Sequence, residues 1–351
     1  MTAAPNPSPA ERARTEDLAA MHRALALAAS VRGATAPNPW VGCVVDGAAG
    51  RFEGATAPPG GPHAEASALA AAGAGARGAT LVTTLEPCCH HGRTPPCTDA
   101  IVAAGVRRVV VGVLDPDPQV AGGGVRALRA AGVEVTVGVG AAEVQEQLAA
   151  YLKHRRSGRP WVVLKLAASL DGRIAAPDGS SRWVTGDEAR ADVHRLRAES
   201  DAVLVGAGTV RADDPALTVR AVTSARQPLR VVLGRAPAGA KIHPALELSG
   251  DLGEVLDELG RRGVLQLLVE GGSRVASAFH AARLVDRYLV YLAPALFGGD
   301  DAIPLFTGPG ARTIGELWRG RLVSVAQLGA DLRVELAPLV PGHPGPVWKA
   351  A

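Results

Sequence analysis

The chain of 351 residues is long enough for two domains, and with 47% hydrophobic and 20% charged residues it has the composition of an ordinary soluble globular protein. A formal charge of +3 argues neither for nor against a nucleic-acid partner, but 3% aromatic residues supply few side chains on which bases could stack. No stretch approaches the roughly 20 apolar residues of a membrane span, and residues 1–20 lack the apolar core of a secretory signal. We therefore expect a cytoplasmic protein with neither nucleic-acid nor membrane partners.

The first half of the chain alternates predicted helices and strands. Residues 1–15 are rich in Ala, Pro and charge, and they are predicted to form a disordered tail. Apolar residues at helical spacing predict a helix over 16–31. Further elements are predicted at 41–45 (strand), 63–72 (helix), 80–85 (strand), 98–104 (helix) and 108–113 (strand). This alternation predicts a three-layer α/β/α domain over 16–150.

The strongest chemical signal of the chain lies in this domain, at His63-Ala64-Glu65 and in the run from Pro87 to Cys97. One imidazole and two thiolates fill three positions of a tetrahedral zinc and leave the fourth for water, whose pKa zinc lowers toward neutrality. Glu65 is then placed to move protons between that water and a leaving ammonia. We expect Cys88 and Cys97 to be the thiolate ligands, because Cys89 points elsewhere when its neighbour is bound.

The four cysteines also allow two simpler interpretations. A structural zinc site would take His90 or His91 as its fourth ligand. Without a metal, the cysteines would be small buried apolar residues or a disulfide pair, and the missing secretory signal argues against the disulfide. The pattern favours one catalytic zinc per chain.

The second half begins after a polar, basic segment over 151–159, which is predicted to be a linker. Strands alternate with helices again, and they predict a second α/β domain over 160–338, followed by a tail over 339–351. Ser181, Trp183 and Thr185 alternate as on one face of a strand, and Asp171-Gly172-Arg173 predicts a turn. The predicted strands are 161–166, 202–206, 229–233, 265–270 and 287–292, with a helix over 187–199.

Three glycine-bearing turns in this domain follow apolar runs: Gly206-Ala207-Gly208, Glu270-Gly271-Gly272 and Gly298-Gly299-Asp300. Backbone N–H groups in such turns can bind phosphate. Gly-x-Gly-x-x-Gly is absent, so each turn alone can equally be a plain turn. Their shared position at strand ends makes nucleotide or phosphate binding as plausible as three plain turns, and both interpretations stay open. Lys165 stands in an otherwise apolar strand, which indicates that it faces a site or solvent.

Over about residues 16–338 the chain resembles the bifunctional deaminase–reductase family of riboflavin biosynthesis. The segments APNPWVGCVV, GGPHAEASAL, TLEPCCHHGRTPPC and DPDPQVAGGG are similar to its deaminase signatures, and HHGRTPP between the cysteines separates it from tRNA, cytidine and polynucleotide deaminases. The segments LKLAASLDGRIA, SSRWVTG, VGAGTVRADDPALTVR, VEGGS and APALFGG are similar to its reductase domain. The resemblance implies a cytidine-deaminase-like domain followed by a dihydrofolate-reductase-like domain that uses NADPH.

The resemblance also implies the reaction. A diaminopyrimidine ribosylamino phosphate would lose its 2-amino group, and its ribosyl chain would then be reduced to ribityl with NADPH. The partners would be small phosphorylated pyrimidines, and the chain would form a homo-oligomer, a dimer or a tetramer.

Residue roles carried over from the family fall into two sets. In the deaminase, the resemblance places zinc on His63, Cys88 and Cys97, the proton shuttle on Glu65, and the ribose phosphate on Asn38, His90 and Arg93. In the reductase, Lys165, Ser181, Arg197, Leu217, Arg220 and Glu270 would contact substrate, and Ala167, Trp183, Thr185, Thr209, Asp213, Gly271 and Gly272 would contact NADPH. Guanidinium forks such as those of Arg197 and Arg220 suit a phosphate.

Two departures from the family pattern leave alternatives. Cys89 stands where the family usually has serine. The segment Leu233 to Leu252 is shortened, and Gly234 replaces an expected aspartate. This second departure motivates an alternative, an active deaminase fused to a reductase-like domain that only binds nucleotide or mediates assembly. A polynucleotide deaminase would need basic and aromatic surface that the sequence lacks.

Overall fold

A computed structural model describes residues 8–91, 95–224 and 226–339. The described residues divide into two compact units, one ending at Gly158 and the other beginning at Arg159. In this described part of the chain, no helix is long and apolar enough to cross a membrane.

The first unit is a mixed five-stranded sheet with helices. In chain order its elements are α1 (Pro9–Ser30), β1 (Gly42–Gly47), β2 (Gly50–Ala55), α2 (Ala64–Ala72), β3 (Thr80–Leu85), α3 (Cys97–Ala103), β4 (Arg108–Val113), α4 (Gly123–Ala130), β5 (Glu134–Val137), α5 (Ala141–Gln147) and α6 (Ala149–Ser157). The strand order is β2-β1-β3-β4-β5; β1 pairs antiparallel with β2 and β3, whereas β3, β4 and β5 run parallel. The carboxyl ends of β3 and β4 therefore meet at one edge, and β3 leads directly into the cysteine-bearing loop.

Two predicted segments of this unit differ from the structure. Helix α1 begins at Pro9, inside the predicted tail over 1–15, because Ser8 and Glu11 form a capping box that satisfies the first backbone N–H groups. The predicted linker over 151–159 is helical as far as Ser157, and α6 is held to the unit by the buried residues Tyr151 and Leu152. Polar composition concealed the first turns of α1 and the whole of α6.

The second unit is an eight-stranded sheet with a separate two-stranded ribbon. Its elements are β6 (Trp161–Ser169), β7 (Arg173–Ala175), α7 (Asp187–Glu199), β8 (Ala202–Gly206), α8 (Ala207–Asp213), β9 (Leu229–Leu233), β10 (Leu246–Leu248), α9 (Leu252–Arg261), β11 (Gln266–Val269), α10 (Ser273–Ala281), β12 (Arg287–Ala293), β13 (Ile303–Pro304), β14 (Gly320–Leu328) and β15 (Asp331–Pro338). The order is β10-β9-β8-β11-β6-β12-β15-β14. The strands from β10 to β12 are parallel, and the hairpin β14–β15 adds antiparallel to β12.

Parallel pairing brings two of the glycine turns to one edge of this sheet. Gly206 ends β8, and Glu270-Gly271-Gly272 follows the neighbouring strand β11. The buried core lies on both faces of the sheet, with Leu204 and Leu267 on one side and Val203 and Leu268 on the other. This edge is the place where open parallel sheets bind ligands.

The predicted strand at Ser181, Trp183 and Thr185 is wrong, because these residues lie in irregular backbone, a turn and a bend, and they pair with no strand of the described residues. Hydrogen bonds between side chains and the backbone of this segment hold it in place instead. The Arg190 side chain donates to the Thr185 carbonyl at 2.7 Å, and Gly186 N–H donates to the buried carboxylate of Asp331 at 2.7 Å. An alternation of three residues is therefore too short a signal to indicate a strand.

Candidate active sites

His63, Cys88 and Cys97 lie together at the carboxyl edge of the first sheet. His63 is the N-cap of α2, Cys88 lies in the loop after β3, and Cys97 is the first residue of α3. Their ligand atoms all lie within 4.8 Å of one another. Loop geometry thus brings together residues that are as many as 34 positions apart in sequence.

The donor set and its spacing fit a tetrahedral zinc ion. The His63 Nδ1 atom is 3.6 Å from Cys88 Sγ and 3.3 Å from Cys97 Sγ. Zinc bonds of about 2.3 Å to sulfur and about 2.0 Å to nitrogen, at tetrahedral angles, separate the two ligand atoms by about 3.5 Å. Three protein ligands leave one coordination position for a reactant, as in catalytic zinc sites.

The two sulfur atoms are electrostatically coupled. Hydrogen bonds from Cys97 and His63 lower the pKa of the Cys88 thiol to about 4. The same contact with Cys88, together with burial, raises the pKa of the Cys97 thiol. Without a cation, one thiolate thus suppresses ionisation of the other, so a dication is the group that would stabilise both. All four cysteines of the chain, including Cys43 and Cys89, are free thiols.

Glu65 lies beside this cluster in the first turn of α2. Its side chain is buried, and its Oε2 atom is 3.6 Å from Cys97 Sγ. Burial raises the pKa of Glu65, and the neighbouring Cys88 charge acts in the same direction. A carboxyl group with a raised pKa can both accept and donate a proton near neutral pH, as a proton shuttle requires.

A cavity of about 410 Å³ opens onto His63, Glu65 and Cys88. Asn38 and His90 line it, and the buried Nδ1 atom of His90 has no hydrogen-bond partner among the described residues. The structure therefore brings these two predicted substrate residues to the cluster. Arg93, the third of them, lies outside the described residues.

Sequence reasoning gave no role to several other residues that line this cavity. They include Glu86, Asp115, Asp117, Tyr151 and Arg155. The Tyr151 hydroxyl donates to the buried Asp115 carboxylate at 3.0 Å, and Arg155 forms an ion pair with Asp117 and stacks over the Tyr151 ring. The motif DPDPQVAGGG contained a signal for the two aspartates, but Tyr151 and Arg155 lay in the predicted linker.

In the second unit, Arg197 and Glu270 form a buried ion pair. The Arg197 Nε and Nη2 atoms donate to the two Glu270 oxygens at 2.6 and 2.9 Å, and Nη1 donates to the Thr218 carbonyl at 3.3 Å. Burial alone would raise the pKa of Glu270, but the charge and hydrogen bonds of Arg197, with the charge of Lys165, hold it below its ordinary value. The pKa of the half-buried Lys165 is lowered by burial.

Arg220 and Leu217 lie in the segment after α8. Arg220 is exposed, and its backbone N–H donates to His194 Nδ1 at 3.3 Å. Leu217 is buried and has a positive φ of 51°, which few side chains adopt. Unlike Arg197, Arg220 has no carboxylate partner among the described residues, so its guanidinium remains available to a phosphate.

The predicted cofactor residues lie in separate places along the carboxyl edge of the second sheet. The Thr209 hydroxyl accepts a hydrogen bond from Gly272 N–H at 3.2 Å, which joins α8 to the turn before α10. At Gly271 an added Cβ would lie 2.5 Å from the Val275 side chain. Ala167 lies on β6 and Asp213 ends α8, where its carbonyl accepts a hydrogen bond from Arg182.

Ser181 and Trp183 line a second cavity of about 330 Å³, together with Ala295, Leu296 and Phe297. Trp183 is 70% exposed, and the Arg190 guanidinium lies 4.5 Å from its ring centre. Thr185 contributes its carbonyl to Arg190. Sequence reasoning missed Arg190, and no pattern around it indicated this position.

Two side chains of the predicted turn at Asp171-Gly172-Arg173 hold the segment 297–302, whose first residue, Phe297, lines the same cavity as Trp183. The Asp171 carboxylate accepts the backbone N–H groups of Phe297 at 3.3 Å and Gly298 at 2.9 Å. Arg173 donates to the carbonyls of Gly299 and Ala302, both at 3.2 Å. The segment 297–302 is thus fixed to the turn through its main chain.

Comparisons with known proteins match a family to each unit. Residues 14–113 match the family of the cytidine and deoxycytidylate deaminase zinc-binding region, and residues 160–334 match the RibD C-terminal domain. The chain is 40% identical over 360 residues to the riboflavin biosynthesis protein RibD of Escherichia coli, an alignment that covers 90% of this chain and 98% of the relative.

Solved structures give the same result. RibD of Acinetobacter baumannii is 39% identical with a TM-score of 0.88, covering 93% of this chain and 100% of that one. A diaminohydroxyphosphoribosylaminopyrimidine deaminase/5-amino-6-(5-phosphoribosylamino)uracil reductase of Thermotoga maritima is 35% identical with a TM-score of 0.84, again covering 93% and 100%. The expected fold class, a deaminase-like domain followed by a reductase domain, is confirmed. The chain therefore belongs to the RibD family, the bifunctional deaminase–reductases of riboflavin biosynthesis.

Proposed function

We propose that the first unit deaminates a diaminopyrimidine ribosylamino 5′-phosphate at one zinc ion held by His63, Cys88 and Cys97. The observation that carries this proposal is the convergence of three ligand atoms within 4.8 Å beside a buried glutamate. Zinc, when bound, lowers the pKa of a water molecule and so supplies a nucleophile near neutral pH.

Glu65 moves the protons of this reaction. It accepts a proton as the water oxygen bonds to the ring carbon that carries the 2-amino group, and it returns the proton to the adjacent ring nitrogen. It then takes the proton that remains on the added oxygen and transfers it to the amino nitrogen. The amino group leaves as ammonia while the carbonyl forms. Asn38, His90 and Arg93 are proposed to hold the ribose phosphate, and the unpartnered His90 Nδ1 atom supports this role.

The second unit is proposed to reduce the ribosyl chain to ribityl, with NADPH as the hydride source when bound. The residues fit this cofactor, because the carboxyl edge of the parallel strands carries the Thr209–Gly272 contact and a glycine turn where a side chain would collide with Val275. Ala167, Trp183, Thr185, Asp213 and Gly271 are proposed to contact the cofactor with them. Hydride transfer mainly requires that the residues align the two reacting carbons.

Substrate binding in this unit is proposed to involve Lys165, Ser181, Leu217, Arg220 and Glu270. Because Arg197 already donates from all three of its nitrogens to protein acceptors, we assign it to holding Glu270 and assign the phosphate to Arg220. The alternative of an inactive reductase-like unit rested on the shortened segment from Leu233 to Leu252. That segment still supplies the edge strand β10, so no observation favours the alternative.

Replacing Glu65 with Gln tests this assignment of two independent sites. We expect E65Q to keep its zinc and to release no ammonia, while it still oxidises NADPH when given the deaminated substrate. Loss of both activities together would contradict independent sites, and a wild-type protein without zinc would contradict the metal site.

Two further properties are part of the proposal. Four free thiols suit a reducing compartment, which supports a cytoplasmic enzyme. A homo-oligomer, a dimer or a tetramer, is supported by the exposed apolar side chains Leu322 and Val325 on the edge strand β14. Sedimentation velocity on the full chain measures the oligomeric state, and a monomer at working concentration would contradict the oligomer.

A further inference from the structure

Two buried glutamates, Glu65 and Glu86, line the deaminase cavity, and they differ in their hydrogen-bond partners. Glu86, which follows β3, is 3% exposed. Its Oε1 atom accepts Val125 N–H at 2.9 Å, and its Oε2 atom accepts Gly122 N–H at 3.0 Å and Asp115 N–H at 3.2 Å. Three backbone donors thus occupy the Glu86 carboxylate and hold it in one orientation.

These three donors belong to a segment that packs on the cysteine loop. Gly122 is the N-cap of α4, and Val125 lies in its first turn. An added Cβ at Gly124 would lie 2.0 Å from the Pro87 carbonyl, and one at Gly123 would lie 2.8 Å from Cys89 Sγ. The start of α4 therefore lies directly against the residues on either side of Cys88.

We propose that Glu86 is a positioning residue for the metal site: it fixes the Cys88 loop to the segment 115–125, so that a zinc ligand and the cavity residue Asp115 keep one relative position. The proposal rests on the zinc site proposed above. Its physical basis is that Glu86 is two residues from Cys88 and makes its bonds to main-chain groups, which do not rotate away. When the loop is loosened, the Cys88 sulfur loses its fixed distance from His63 and Cys97.

A glutamine at this position has the same size but cannot make the same bonds. Its oxygen can replace one carboxylate oxygen, while its NH₂ group must then face at least one backbone N–H donor. A buried N–H group without an acceptor costs about 1–3 kcal/mol. Residues that orient metal ligands typically change metal affinity or activity by about 10–100-fold when they are replaced.

The experiment compares E86Q with D17N in the full chain. Asp17 is a matched control, because it is another buried carboxylate of the same unit and accepts two hydrogen bonds from Arg108. Arg108 begins β4, whereas the Glu86 partner Asp115 follows the other end of that strand. Zinc affinity is measured by competition with a chromophoric chelator. The absorption spectrum of the Co²⁺-substituted protein reports the geometry of the thiolate ligands. NADPH oxidation with the deaminated substrate reports that the second unit is intact.

We expect E86Q to bind zinc about 10–100-fold more weakly and to have an altered Co²⁺ spectrum, with unchanged NADPH oxidation. D17N should keep wild-type zinc affinity and spectrum. Equal zinc affinity and spectra in wild type and E86Q would overturn the proposal, as would equal losses in E86Q and D17N. A wild-type protein that binds no zinc would instead contradict the proposed function.

A second variant covers the case in which E86Q does not fold. G124A keeps the Glu86 carboxylate in the chain, but its added Cβ would lie 2.0 Å from the Pro87 carbonyl and 3.2 Å from the Glu86 side chain, so it displaces the start of α4 from both. It should weaken zinc binding in the same direction as E86Q. In addition, chelation of zinc from the wild-type protein should raise hydrogen exchange at Gly122 and Val125. If G124A keeps full affinity and these amides exchange equally with and without zinc, the proposed coupling is absent.

Discussion

Arg197 and Arg220 look alike in the sequence, and the structure predicts opposite consequences for their replacement. In R197Q the Glu270 carboxylate would remain buried without its counter-ion, since the two side chains are only 12% and 8% exposed. Breaking a buried pair from one side typically costs about 3–5 kcal/mol. R220Q removes an exposed side chain without a carboxylate partner in the described residues, so we expect a change within about 0.5 kcal/mol.

Because the chain has two units, the stability of the second is best measured locally. Hydrogen exchange of peptides from β6 and β11 reports the opening free energy of its central strands. R197Q should increase opening there by more than about a hundredfold, since each 1.4 kcal/mol is a factor of ten. R220Q should leave exchange unchanged and should raise the KM of the phosphorylated reductase substrate.

The reverse pattern would refute this division of roles. If R197Q raised the KM while exchange in β6 and β11 stayed at the wild-type rate, Arg197 would be a phosphate ligand rather than the partner of Glu270. A substrate without its phosphate provides the control, because R220Q should not change its KM.

Three other predictions follow from single contacts. The pKa of Glu270 is held below its ordinary value of 4.5, so the ionised carboxylate contributes its full stabilisation above pH 4.5. This stabilisation is lost as the pH falls through the pKa of Glu270 in the folded state. Urea unfolding of the second unit, measured as a function of pH, should show the loss. Y151F removes the hydroxyl that donates a hydrogen bond to Asp115, so we expect the free energy of unfolding to fall by about 1–3 kcal/mol and the deaminase kcat/KM to fall with it. Unchanged values of both would contradict a role for this hydrogen bond. G271A should cost about 1–3 kcal/mol and raise the KM for NADPH, because its Cβ would lie 2.5 Å from a packed valine; G208A, which meets nothing within 4 Å, is the control that should preserve stability.

The zinc-ligand candidates could be predicted from sequence because their chemistry is local. His63 and Glu65 occupy one helix start, and Cys88 and Cys97 flank a single loop. Few residue sets offer one imidazole and two thiolates, so residue type alone identified the candidate ligands. Strands β4 and β8 also carried strong signals, since their buried runs consist of apolar residues and glycine.

Residues that act through main-chain contacts were beyond sequence reasoning. Glu86 bonds to backbone groups as many as 39 positions away, and Asp171 to groups as many as 127 positions away. Every residue except proline has the same backbone N–H donor, so the sequence does not indicate which residue will bond to a given carboxylate through its backbone. The same limit applies to Arg190, whose carbonyl partner and aromatic neighbour lie in a segment that looked like a strand.

The segment that Asp171 and Arg173 hold has a consequence for redesigning this enzyme. All four of their bonds reach backbone groups of 297–302, so none depends on which side chains that segment carries. Leu296, which is 70% exposed, and Phe297 could therefore be exchanged for other residues while the path of the chain stays the same. A library restricted to these two positions would therefore vary the lining of the cavity that they share with Trp183 on a constant scaffold.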